Sequence, residues 1–318
     1  MPGGKCILLF TLLISAAVVQ AEEIERRLYV VAPGIRDYPE WGGAGVLVFD
    51  IDHDHRFLKR IPIPTHSDLK KPLNVKGVCA DAATARLFFT TLEDVYCLDL
   101  KSEKVLWQVK PVGGCDRLSV TTDGKSLYVP ALEKDHWNIL DAATGATVKT
   151  LSAPPGEKWG SHNTLAGPLG KRVYLAGRFN HTLRIADPAT MEITATCGPF
   201  TDNVRPFTVN AAETRVYANI DSLLGFEIGD LETGKLLARV EVPDFKKGAV
   251  KRHGCPCHGV GLTPDEKELW LCDGANQSVH IFDNTVQPPK YVSTIKVFDD
   301  PGWITFSLDG AYAYPSTL

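Results

Sequence analysis

An all-β fold is predicted for this chain by three observations: a hydrophobic triplet that recurs along its length, a second marker held at constant spacing from it, and turn signals that divide each interval into short strands. The triplet is apolar–aromatic–apolar or close to it. It reads Leu28-Tyr29-Val30, Leu87-Phe88-Phe89, Leu127-Tyr128-Val129, Val173-Tyr174-Leu175, Val216-Tyr217-Ala218, Leu269-Trp270-Leu271 and a weaker Ala313-Tyr314-Pro315. Successive aromatic positions lie 59, 40, 46, 43, 53 and 44 residues apart. The second marker is an Asp that closes a short alternating run: Asp50, Asp99, Asp141, Asp187, Asp230 and Asp283. In four units it follows the aromatic by 13 residues. Chance does not give four equal spacings tied to an independent repeat, and a two-sheet sandwich would not repeat both markers.

Each unit fills in as four strands, most clearly after His258. A first strand is expected over 260–263, a turn at Pro264-Asp265-Glu266-Lys267 and a second strand over 269–272. A turn at Asp273-Gly274-Ala275-Asn276 leads to a third strand over 278–282, and a fourth is expected over 291–297. In other units the third turn is Asp141-Ala142-Ala143-Thr144-Gly145 or Asp230-Leu231-Glu232-Thr233-Gly234. There the Asp accepts bonds from backbone amides just ahead of it, and Gly takes positive φ. A 40–50-residue period of four-stranded antiparallel units is the signature of a β-propeller, each unit one blade. Tyr314 opens a seventh unit whose closing Asp would fall beyond Leu318, and the first unit starts at its second strand, 27–31. The expectation is therefore a seven-bladed ring with an incomplete, C-terminally truncated last blade, in one domain over 22–318. The alternative is a six-bladed ring closed by a strand over 302–308.

His258-Gly259-Val260, Pro264-Asp265, Leu269-Trp270-Leu271 and the run 279–283, with Asp123-Gly124-Lys125 before Leu127-Tyr128-Val129, resemble the YVTN-type propeller repeat. The resemblance spans 27–318. It is specific for the repeat and not for one activity: such propellers include surface-layer proteins and relatives of lactonases and quinoprotein dehydrogenases.

Residues 1–21 read as a secretory signal peptide. Lys5 supplies a positive start, 7–19 form an apolar run too short to span a bilayer, and Val19-Gln20-Ala21 ends in small or medium residues. The mature chain is expected to be exported, periplasmic or secreted, with no membrane span left after cleavage. A net charge of −4 with no basic stripe argues against a nucleic-acid partner. Seven cysteines follow the leader, too few for a disulfide scaffold in a chain of this length. Their odd number implies a free thiol, an intermolecular bond or a metal ligand.

In a propeller the first strand of each blade lines the central channel. Registering the units on their aromatic gives equivalent entry residues: Lys76, Asp116, His162, Arg205, His258 and Gly302, with Arg117, Asn163, Asn203 and Trp303 beside them. Ionisable groups converging on one axis make a ligand pocket, although a wet channel mouth is polar in any case. The positive excess favours a small anionic or carbonyl-bearing ligand, and a protein partner is the other class the rim would suit. His253, Cys255, Cys257 and His258 place two thiols and two imidazoles within six residues, a set for zinc or copper. A Cys255–Cys257 disulfide is the competing reading. The haem c attachment pattern is absent, as are nucleotide-binding glycine loops and the common hydrolase and metalloprotease signatures. The expected function is an exported binding or interaction scaffold. The alternative is a lactonase-like or quinoprotein-like enzyme using His162, Arg205 and His258. Asn180-His181-Thr182 and Asn276-Gln277-Ser278 fit the glycosylation sequon.

Overall fold

A computed structural model describes residues 25–32, 45–63, 75–249 and 254–317. The leader and His253 lie outside the described residues. The first sheet holds β1 (Arg27–Ala32), β2 (Gly45–Asp50) and β3 (Arg56–Pro62). The second holds β4 (Gly77–Asp81), β5 (Arg86–Thr90), β6 (Val95–Asp99) and β7 (Lys104–Val109). The third holds β8 (Ser119–Val120), β9 (Ser126–Pro130), β10 (His136–Asp141) and β11 (Thr147–Ser152). The fourth holds β12 (Ser161–Ala166), β13 (Val173–Gly177), β14 (Leu183–Asp187) and β15 (Glu192–Cys197). The fifth holds β16 (Val204–Val209), β17 (Arg215–Ile220), β18 (Gly225–Asp230) and β19 (Leu236–Glu241). The sixth holds β20 (Cys257–Leu262), β21 (Glu268–Asp273), β22 (Ser278–Asp283) and β23 (Lys290–Lys296). A last pair, β24 (Pro301–Phe306) and β25 (Ala313–Thr317), follows. Within each sheet every strand pairs antiparallel with its neighbour in sequence.

The β-propeller is thus confirmed, and the blade count is corrected. Among the described residues there are six blades, five of four strands and one of three, in agreement with the six-bladed alternative. The repeat does continue past β23, as the Tyr314 triplet suggests, but only two strands of that unit pair. β24 bonds to β25 rather than to the first sheet.

The recurring triplets sit on the middle strands, and the packing explains why they lack alternation. Leu127, Tyr128 and Val129 are all fully buried because both faces of β9 are covered. Leu127 and Val129 join Phe88 and Leu118 between the second and third sheets. Tyr128 joins Trp137, Trp159 and Val173 between the third and fourth. Five such apolar layers separate the six blades. Outer strands such as β7 alternate between exposed and half-buried residues, as a strand with one wet face must. The Asp turns form as expected: Asp141 Oδ1 accepts from the amides of Ala143 and Thr144, and Gly145 takes φ +75°.

The inner strands follow one another around the axis, β4 against β8, then β12, β16, β20 and β24. They approach closely where glycine permits it. A β-carbon at Gly259 would lie 2.7 Å from Trp303 Cα, and one at Gly77 the same distance from Arg117 Cα. The ring closes between β24–β25 and the first sheet, where Arg26 pairs with Asp309 and His55 Nε2 lies 2.7 Å from Tyr314 Oη.

Candidate functional site at the channel mouth

The entry residues precede or begin the inner strands, so the ring brings them together at one end. Asp116 and Arg117 lie just before β8. Their backbone is fixed by the Asp116 amide donating to Pro130 O at 3.0 Å and by Thr90 Oγ1 donating to Asp116 O at 2.7 Å. A parallel bridge then joins Arg117 to Asn163 of the next blade. This bridge places the Asp116 side chain against His162.

Asp116 is fully buried and accepts two hydrogen bonds, from His162 Nδ1 at 2.6 Å and from Arg117 Nη1 at 2.8 Å. Burial alone would raise its pKa. The His162 hydrogen bond and the charges of Arg117, His162 and Lys76 outweigh burial and hold the carboxyl below the usual range. His162 is driven the other way. Burial lowers it, Asp116 only partly restores it, and the imidazole ends at about 4, neutral at physiological pH. With Nδ1 bound to a carboxylate, the free electron pair is on Nε2, and Arg117 Nη1 lies 3.2 Å from that atom. The three side chains form a closed internal network.

Arg117 also carries its guanidinium over the Trp303 ring, 4.9 Å from the centroid, and His258 meets the same ring edge-on at 5.0 Å. His258 Nδ1 bonds to Gly302 O at 2.9 Å, which ties β20 to β24. Arg205, nearly inaccessible, pairs through Nε with Asp221 Oδ1 at 3.1 Å, and Asn203 Nδ2 donates to the other Asp221 oxygen at 3.1 Å. Asp116, Arg117, His162, Asn163, His258 and Trp303 are thus linked by direct contacts across adjacent inner strands, and the charges of Lys76 and Arg205 act on Asp116 and Arg117.

Arg178, Asp221 and Cys255 also belong here. Arg178 pairs with Glu133, and its Nη2 lies 3.8 Å from the point where a Gly254 β-carbon would stand, while Arg205 Nη2 lies 2.9 Å from that point. Two guanidinium groups thus converge on one small volume. Arg117 and Arg178 both fall below the usual arginine range, first through burial and then through the charge of Arg205. Cys255 is the third. Burial raises its thiol above the ordinary value even though Arg205 opposes the shift. Arg178 and Asp221 each stand four residues after the blade aromatic, at Tyr174 and Tyr217, and that register was the available signal for them.

Several buried polar atoms on these elements have no hydrogen-bond partner among the described residues: both carboxamide atoms of Asn163, Ser161 Oγ, Arg117 Nε, Arg178 Nε and Asn219 Oδ1. Each such atom costs about 1–3 kcal/mol if left unsatisfied, so a cluster of them marks a place where a polar guest is favoured.

Of the predicted metal set, His253 lies outside the described residues, so the set of four is not tested as a whole. Cys257 and His258 are neighbours on β20, where successive side chains point to opposite faces. Cys255 Sγ donates to Cys257 O at 3.0 Å. Among the described residues no group of three or more His, Cys, Asp or Glu side chains is placed to hold a metal ion. None of the seven described cysteines is in a disulfide, so the Cys255–Cys257 disulfide is not formed. No helix among the described residues is long and apolar enough to cross a membrane.

No protein-family model matches the chain, and no curated protein matches it. Solved structures do. The chain is similar to Kuenenia stuttgartiensis hydrazine synthase, with a TM-score of 0.70 and 13% identity over 86% of both chains. It is also similar to dihydro-heme d1 dehydrogenase NirN in complex with DHE, with a TM-score of 0.65 and 16% identity. That match covers 86% of this chain and 56% of NirN, so the chain spans little more than half of that protein's length. At these identities the likeness is one of fold, and the neighbours are enzymes.

Proposed function

We propose that this protein is an exported β-propeller binding module of the YVTN-repeat kind, which takes up a small anionic ligand in the mouth of its channel. The observation that supports it most is the convergence of Arg117, Arg178 and Arg205, three guanidinium groups partly withdrawn from water at one rim, with Asn163 and Ser161 holding unused hydrogen-bonding capacity beside them. A planar fork of N–H donors matches an oxyanion, and an anion relieves the repulsion among the three cations.

The test is a thermal-shift and calorimetric series in a buffer free of phosphate and carboxylates, with sodium acetate, succinate and phosphate added one at a time. Binding to the folded state raises Tm by mass action. The expected result is a saturable rise with at least one of these anions, lost in Arg178→Gln, whose partly exposed side chain makes folding of the variant a modest demand. No shift with any of them would overturn the reading.

Catalysis is the second reading, favoured by the Asp116–His162 pair at 2.6 Å. Arg117 covers the basic nitrogen of His162, so the pair is not poised to accept a proton. A ligand that draws Arg117 onto itself would uncover that nitrogen. Following the bound ligand by NMR for turnover, with His162→Gln as the comparison, separates an enzyme from a binding module.

A further inference from the structure

Arg117 has two uses at this mouth. It closes the Asp116–His162 pair, and it is one of the three arginines given to the ligand in the anion reading, on which this inference rests. Its Nη1 stands 2.8 Å from Asp116 Oδ1, 3.3 Å from His162 Nδ1 and 3.2 Å from His162 Nε2. A point so nearly equidistant from both ring nitrogens lies over the ring, out of line with either lone pair. The guanidinium is therefore held there by the carboxylate, and it rests against the imidazole without a well-directed bond to it. Its Nε is buried and has no hydrogen-bond partner among the described residues. Little besides Asp116 keeps this cation from turning toward an anion in the mouth.

Such a turn changes what His162 faces. Asp116 is fully buried, and its side-chain donors among the described residues are His162 at 2.6 Å and Arg117 at 2.8 Å. Without Arg117 the carboxylate becomes a buried charge with less compensation, a costly state. A proton on His162 removes that cost by making the 2.6 Å contact a charge-assisted hydrogen bond. With Arg117 in place, burial first and then the charges of Arg117 and Arg205 hold the ring at about 4, against the pull of Asp116. Lys76 reaches the pair through Asp116, and Arg178 acts on the ring's neighbour Arg117. Asp221 holds Arg205 at 3.1 Å, Cys255 is a neutral thiol, and His258 is tied to Gly302 O through Nδ1. An anion taken up by Arg117, Arg178 and Arg205 both removes one cation from the ring and offsets the others. Both effects favour a charged His162.

We propose that the mouth takes up its anion together with a proton, the proton passing from solvent to Nε2 of His162 as the Arg117 guanidinium turns from the Asp116–His162 pair to the ligand. One N–H bond forms, on Nε2; the Nδ1 proton stays on its bond to Asp116, and no other covalent bond changes. By linkage, acid that charges His162 tightens the anion, and the anion raises the proton affinity of the ring by the same factor. Calorimetry on the full chain with sodium sulfate, in two buffers of different ionisation enthalpy at each of about pH 5, 6 and 7, counts the protons taken up per anion. Sulfate does not itself titrate over this range, so every proton counted belongs to the protein. The expected result is an uptake that rises toward one proton per sulfate as pH falls, with affinity tightening by up to about tenfold per pH unit, the limit for a single proton.

His162→Gln should abolish the uptake. Arg117→Gln, which takes the cation off the ring without altering the ring, should charge His162 before sulfate is added, so that both the uptake and the pH slope shrink. Sulfate binding without proton uptake, or uptake that persists unchanged in both variants, overturns the linkage and leaves the anion site standing. Failure of sulfate to bind at about pH 5, where the linked proton makes the site tightest, also overturns the linkage. The acetate, succinate and phosphate series then decides the anion reading separately.

Discussion

His162 ties the chemistry of the site to the stability of the fold. Its ring is buried against Asp116, and burial takes the imidazole from 6.5 down to about 4. In the unfolded chain the same ring gains a proton near its ordinary value. Between those two values the unfolded state binds more protons than the folded one, so acid favours unfolding. The expected outcome is a urea midpoint that is level above about pH 6.5 and falls as pH drops toward 4, with His162→Gln flattening that part of the profile. Asp116 acts in a lower window. Its depressed carboxyl contributes stability above the unfolded carboxylate pKa and loses it as pH falls through the folded value. Removing it altogether strands Arg117 and His162 without their anion, and Asp116→Ala should lower the unfolding free energy by about 3–5 kcal/mol in urea titration. At this scale the sequence was informative where a residue kept the repeat register. Twelve positions before each aromatic it located Asp116, His162, Arg205 and His258. It missed Arg178 and Asp221, because they stand just past the end of the second strand and meet the entry segments of their own blades through antiparallel pairing, the Arg178 amide donating to Gly160 O and the Asp221 amide to Asn203 O. It could not foresee that Arg117 would close over His162, since that contact depends on one cross-blade bridge.

At the scale of the element, the apolar layers between blades carry the stability. Phe226 on β18 illustrates this. It is fully buried, meets Phe282 of the next blade at 5.1 Å edge-on, and lies 6.3 Å from Tyr217 within its own. Phe226→Ala removes a ring from a layer with neighbours on both sides and should lower the unfolding free energy by about 3–5 kcal/mol, read from the denaturation midpoint at constant slope. The inner strands impose a different constraint. Gly259 faces Trp303 Cα so closely that any β-carbon would need β20 and β24 to separate. Gly259→Ala should therefore cost about 1–3 kcal/mol, and Trp303 fluorescence should report the displaced strand. Strand positions in the sixth blade were legible to within a residue or two at most ends: 269–272 became β21 (Glu268–Asp273) and 291–297 became β23 (Lys290–Lys296). The first strand was the exception. It begins at Cys257 rather than 260, because pairing resumes beyond a register shift between Cys257 and Val260.

Over the whole molecule the question is how a ring with unequal blades stays closed. A propeller blade is held on two sides, and the two-stranded pair β24–β25 supplies less surface on each than a full blade does. The count of blades was the part of the fold least legible in the sequence, because the Tyr314 triplet matches the repeat while pairing depends on strands the triplet does not encode. Among the described residues the closing contacts include Arg26 with Asp309, and His55 with Tyr312 and Tyr314. The Arg26–Asp309 pair is partly exposed and contributes little, since water and salt screen it. The His55–Tyr314 contact is better shielded and combines a 2.7 Å hydrogen bond with ring packing. Tyr314→Ala should loosen the seam before it unfolds the ring. In hydrogen exchange the amides of β24, β25 and β1 should then exchange faster, while β17 and β18, far around the ring, keep wild-type protection. Uniform acceleration in all blades would mean that closure and global folding are one transition. Acceleration confined to the seam would mean that the blades between β4 and β23 hold together by their own layers, with the seam as the place where the ring opens.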